Sequence, residues 1–143
     1  MLDTHRIRTR VEEIRKRILL LEQDFKTVPK EKFIDDEALN AAAERHLQVA
    51  IQACIDIANH LVSALGLERP KEETAEVFVT LSKENIIPAN FVGTLDKIVG
   101  YRNVVVHDYL ELDRNITYDN IQYHLLDLSK FAKYIEQFLE KKT

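Results

Sequence analysis

Apolar positions recur along this chain at helical spacing, and the rhythm breaks at only a few points. Between Asp3 and Phe25, the residues Ile7, Val11, Ile14, Ile18, Leu21 and Phe25 fall at alternating steps of four and three. A seam of that period marks a long amphipathic helix lying along a neighbour. Pro29 interrupts it. Asp35 or Asp36 then offers the short side-chain acceptor that caps a second helix by taking orphaned backbone N–H groups. The rhythm of that helix runs through Leu39, Ala43, Leu47, Ala50, Ile51, Cys54, Ile57, Ala58, Leu61 and Leu65. Gly66 is placed to close it in a left-handed turn.

Pro70 predicts a shorter helix ending near Asn85, because a proline in the first turn gives up no needed hydrogen bond. Pro88 predicts another, with Phe91, Leu95, Ile98 and Val99 turned inward and Gly100 breaking it. A further helix follows to about Leu112, and a last one starts around Thr117 with Ile121, Leu125, Leu128, Phe131, Ala132, Ile135 and Phe138 on its inner face. No internal repeat, low-complexity tract or linker divides the chain. The expected architecture is all-α, an up-and-down bundle of four to five main helices in a single domain over residues 1–143.

Composition agrees with that reading and narrows the function classes. Of 143 residues, 45% are hydrophobic and 31% charged, with three Gly and three Pro, too few turn formers for an all-β fold. No stretch approaches the roughly eighteen consecutive apolar residues of a membrane span. The opening "MLDTHRIRTR" lacks the apolar run of a signal peptide, so cytoplasm is the expected location. The single cysteine, Cys54, permits no internal disulfide, and its core spacing reads as a buried apolar residue rather than a nucleophile. A net charge of −4 argues against broad, non-specific nucleic-acid binding but leaves room for a local basic cleft. Arg6, Arg8, Arg10, Arg15, Lys16 and Arg17 cluster on the first helix and read as a solvated face.

One segment carries more polar chemistry than its apolar setting requires. In "YRNVVVHDYLELD" (101–113), three valines are bracketed by Arg102 and Asn103 on one side and His107, Asp108 and Tyr109 on the other. On an ideal helix, Asn103, His107 and Glu111 form a polar wedge, and Tyr109 returns to within about 20° of Arg102. Arg102 and His107 stand about 140° apart. They can converge in two ways: Arg102 reaches round from a helix start just after Gly100, or a second copy of the chain completes the site.

R-N-V-V-V-H-D-Y fits the pattern R-x-x-x-x-H-x-Y, and the chain resembles the HEPN superfamily, specifically the HepT-like ribonuclease toxins. The likeness extends to "ERHLQVAIQACIDIANHLVSALGLERP" (44–70), similar to the family's long second helix, and to "ENIIPANFVGTLDKIVGYRNVVVHDYLELD" (84–113), similar to its motif helix. The resemblance implies an all-α homodimer with two motif helices facing each other. It implies metal-independent endoribonuclease activity without a cofactor, with Arg102 and His107 catalytic and Asn103 in support. It also implies a cognate minimal nucleotidyltransferase, an antitoxin that adenylylates the motif tyrosine, here Tyr109.

The residue types suit that chemistry. RNA brings its own nucleophile, the ribose 2′-OH; a near-neutral histidine can move its proton, and the arginine fork can hold the charge developing on phosphorus. DNA, lacking the hydroxyl, should be inert. An acid on the second helix, Asp56, could orient Arg102. Asp56 and His60, four apart, also fit a hydrogen-bonded pair or half a metal site, but no second pair accompanies them and no metal is expected. His5, His46 and His124 read as structural or surface residues. The competing readings are a non-catalytic, substrate- or nucleotide-binding subunit of a two-component nucleotidyltransferase, and a plain dimeric interaction module.

Overall fold

The computed structural model describes residues 2–69, 76–107 and 113–142, and of Val105, Val106 and His107 the backbone alone. Helix α1 (Thr4–Asp24) starts where Asp3 accepts the N–H of Arg6 at 3.0 Å, a side-chain cap on an otherwise unpaired donor. Its predicted seam of Ile7, Val11, Ile14, Ile18 and Leu21 is buried, against α3 (Glu37–Ala64) on one side and α7 (Leu125–Lys142) on the other.

Pro29, in extended conformation, opens a short helix, α2 (Lys30–Asp35), whose Phe33 is fully buried. Asp36 closes α2 and caps α3, accepting the N–H of Leu39 at 3.0 Å. Buried Asn40 clasps the junction, its Nδ2 donating to the carbonyls of Phe33 and Asp36. The 28 residues of α3 bury one stripe, among them Ala43, Leu47, Ala50, Cys54, Ile57 and Leu61. The helix stops as its sequence indicates: Gly66 takes φ +66° and Leu67 N–H reaches back to Val62 O at 2.9 Å.

Helix α4 (Glu76–Lys83) occupies part of the segment expected to open at Pro70, which itself lies outside the described residues. It ends in a similar turn, with Asn85 at φ 58° and Ile86 N–H on Leu81 O at 3.0 Å; asparagine is one of the few non-glycine residues that visits this region routinely.

Two expectations are corrected. Gly100 does not break a helix. Pro88 leads into a 3-10 turn (Ala89–Phe91), and α5 (Val92–His107) then runs through Gly100 without interruption. A helix-interior glycine costs only about 1 kcal/mol relative to alanine, and the burial of Ile98, Val99 and Tyr101 around it offsets that. The Tyr101 hydroxyl adds a bond to Thr117 at 2.9 Å, inside the core. The predicted last helix is also two helices, α6 (Arg114–Tyr123) and α7. Asp113 caps α6 by accepting Asn115 N–H at 2.8 Å, so that the helix starts at Arg114, three residues ahead of the expected start at Thr117. His124 leaves helical geometry at φ −121°, ψ 4°, while Ile121, Leu125 and Leu128 stay buried across the break. The expected helix end near Leu112 lies outside the described residues.

Among the described residues the protein is all-helical, with five helices of ten residues or more (α1, α3, α5, α6, α7) and two short ones. Their buried faces join in one hydrophobic core, with Phe78 and Phe131 edge to face at 5.8 Å between α4 and α7. Arg114 fastens α6 to α2 by donating to Ile34 O at 2.6 Å. No described helix is long and apolar enough to cross a membrane.

Candidate active site

Because α5 is continuous, Arg102 sits within it rather than at its start. The first of the two routes to a joint Arg102–His107 site, an arginine reaching round from the helix end, is thereby removed. Arg102 is half-buried and turned toward α3. Its Nη1 donates to Asn103 Oδ1 at 2.8 Å, and its Nη2 donates to Gln52 Oε1 at 2.5 Å. Two acceptors on the two terminal nitrogens fix the plane of the guanidinium. With two of five N–H groups so committed and Nε buried without a partner among the described residues, one N–H on each terminal nitrogen is left for an oxygen-rich ligand.

Gln52 does not stand alone. Its Nε2 donates to Asp56 Oδ1 at 2.9 Å, and Asp56 Oδ2 lies 4.0 Å from Arg10 Nη2 on α1. The order is set by chemistry: an ionised carboxylate only accepts, so Asp56 takes the amide N–H₂ of Gln52 and leaves the amide oxygen facing the arginine. Asp56, Gln52 and Arg102 thus form a donor–acceptor chain across α3 and α5, with the Arg10 charge of α1 beside its carboxylate end. On α3, Gln52 and Asp56 are one turn apart, on the face opposite the buried stripe.

Asp56, expected beside the arginine, reaches it only through Gln52. Gln52 was missed from sequence. Its signal is a Gln–Asp pair at i, i+4 within the apolar stretch "VAIQACIDIA", a spacing at which such side chains bond on a helix; nothing local reveals its partner fifty positions away. Asn103, expected only in support, accepts from Arg102 Nη1 at 2.8 Å. His107 is the last described residue of α5, its side chain outside the described residues, and Tyr109 lies wholly outside them.

The other candidates are engaged elsewhere. His60 accepts the backbone N–H of Asp3 at 3.2 Å and is not joined to Asp56. Among the described residues, no group of three or more His, Cys, Asp or Glu is placed to hold a metal ion. Cys54 is buried in the core, and burial pushes its thiol well above the usual range. Along α1, Arg15 pairs with Glu136 on α7, and Arg17 pairs with Glu13 at 2.9 Å and meets His46 Nδ1 at 3.0 Å. Burial and the Arg17 charge hold His46 below its ordinary pKa. Arg6, Arg8 and Lys16 remain exposed.

Comparison with known proteins places the chain as a whole. A family model described as ribonuclease HepT-like matches residues 7–135. The mRNA nuclease HepT of Shewanella oneidensis is 36% identical over 105 residues, 73% of this chain and 78% of its own. The tRNA nuclease HepT of Aphanizomenon flos-aquae is 28% identical over 133 residues, 93% of this chain and 89% of its own. Among solved structures, the tri-AMPylated Shewanella oneidensis HEPN toxin in complex with its MNT antitoxin superimposes with a TM-score of 0.84 at 32% identity, covering 96% of this chain and 99% of that one. By sequence along most of its length and by the course of its helices, this chain belongs to the ribonuclease HepT-like family.

Proposed function

We propose that this protein is a metal-independent endoribonuclease toxin of the cytoplasm, active as a homodimer and silenced when a cognate minimal nucleotidyltransferase adenylylates Tyr109. The observation that carries the reading is the fork of Arg102, held at both terminal nitrogens with N–H groups to spare, in a chain whose nuclease relatives match it over most of its length.

Cleavage follows from these residues and the substrate's own hydroxyl. His107 takes the 2′-OH proton as the oxygen attacks phosphorus, and Arg102 donates to the phosphorane oxygens as their charge grows. The bond to the 5′-oxygen breaks, and that oxygen takes a proton. The products are a 2′,3′-cyclic phosphate and a 5′-hydroxyl. One imidazole cannot be base and acid at once, so the proton for the leaving group comes from His107 of the second subunit. The same pairing brings Arg102 and His107 together although they stand about 140° apart on one helix. An adenylyl group on Tyr109, two residues beyond His107, adds a negative phosphate where the RNA phosphate must bind.

The test is RNA incubated in excess chelator with purified protein, verified as unmodified by mass spectrometry, beside His107→Ala and Arg102→Ala. Cleavage should survive the chelator, leave cyclic-phosphate ends, spare DNA and vanish in both variants. Intact RNA with the wild-type protein would instead assign the chain the role of a non-catalytic subunit for a nucleotidyltransferase.

A further inference from the structure

Building on that reading, we propose that Gln52 is a positioning residue for Arg102, with its amide locked in one orientation by Asp56. A glutamine amide can turn over end for end, and its two orientations differ only in which partners they suit. Here both partners exclude the reverse. Turned over, the N–H₂ group would face the donors of Arg102 and the carbonyl oxygen would face the Asp56 carboxylate, so each contact would set like against like. Arg10, 4.0 Å from the other Asp56 oxygen, adds a positive charge behind the carboxylate.

The consequence for Arg102 is geometric. Asn103 and Gln52 pin Nη1 and Nη2 separately, so the guanidinium can neither rotate about its own axis nor swing on its long stem. With Gln52 gone, a single contact to the neighbouring residue on the same helix remains, and the plane is free to turn about it. The charge stays in place, but its direction is lost. Transition-state stabilisation by an arginine depends on direction, whereas general attraction of RNA depends on charge. Substitution of Gln52 should therefore lower kcat and leave KM nearly alone.

The experiment has a catalytic arm and a spectroscopic arm. Gln52→Leu should lower kcat about 10–100-fold, the scale expected when a reacting group is misplaced by roughly an ångström, with KM within about threefold of wild type. Asp56→Asn, which frees the amide to turn over, should lower kcat by a smaller factor. Combining Gln52→Glu with Asp56→Asn restores the order of acceptor toward Arg102 and donor toward position 52, and should recover kcat to within about threefold of wild type. If Gln52→Leu fails to fold, Gln52→Asn serves, since an amide one methylene shorter cannot reach both partners.

In the second arm, guanidinium nitrogen NMR follows the Arg102 side chain, assigned by its loss in Arg102→Lys. Restricted, resolved Nη signals in the wild type should average in Gln52→Leu and return in the double variant. The proposal is overturned if Gln52→Leu keeps kcat within about threefold, if the double variant recovers nothing, or if the Nη signals are indifferent to Gln52. Should the wild type cut no RNA, the nuclease reading fails, and the NMR arm still decides whether Gln52 holds the arginine.

Discussion

Whether α5 is one helix or two decides whether Arg102 stands inside a helix or at a helix start, and a pair of substitutions at Gly100 tests it. Gly100 lies inside the helix, is exposed and does not take a positive φ; a Cβ built on it meets nothing within 4 Å. Gly100→Ala therefore introduces no clash. It relieves a helix-interior glycine, a gain of about 0.5–1 kcal/mol, part of which is reduced freedom of the unfolded chain. For 143 residues, an unfolding entropy near 2.1 cal/mol/K per residue sums to about 0.3 kcal/mol/K, so Tm should rise by about 2–3 °C. Gly100→Pro works against the same helix. It removes an intrahelical N–H and clashes with the carbonyl four residues earlier, costing about 3 kcal/mol or more and lowering Tm by about 10 °C or more. Calorimetry at several protein concentrations separates these changes from shifts in subunit association. A break at Gly100 would reverse both signs, with proline tolerated and alanine harmful. That pattern would refute the continuous helix and return Arg102 to a helix start. Gly100 stands about 200° from Arg102 on the helix, so Gly100→Ala should leave kcat within about twofold of wild type.

Two further outcomes follow from named contacts. Arg102→Lys keeps the charge and loses the fork; one ammonium cannot meet Gln52, Asn103 and two phosphorane oxygens together. Its kcat should fall about 10²-fold or more with KM within about threefold, and retention of activity would show that a point charge suffices. His46 is held below its ordinary pKa of 6.5 chiefly by burial and then by Arg17. Its stabilising contribution is complete above that value, where folded and unfolded states are both neutral. It declines as pH falls below 6.5, because the unfolded chain binds the proton that the folded state resists. His46→Gln should flatten this part of the Tm–pH curve, and equal slopes in the two proteins would refute the assignment.

By itself, the sequence determined the helices whose signals are local. The four-three rhythm of α1, the aspartate before α3 and the left-handed glycine after it each act within a turn or two of the chain. The polar motif around Arg102 was equally legible, because arginine, asparagine and histidine inside a valine-rich helix conflict with simple burial. The tertiary structure decided what depends on partners far along the chain. Gly100 stays helical because packing of its apolar neighbours outweighs a local cost of about 1 kcal/mol, and that packing is set by α3, α4 and α6. The break at His124 was invisible because the apolar residues on either side of it keep helical step. Gln52 meets Arg102 across fifty positions only because α3 and α5 lie side by side. Periodicity reports which face of a helix is buried; which side chain of another helix lies opposite is settled only when the two surfaces pack.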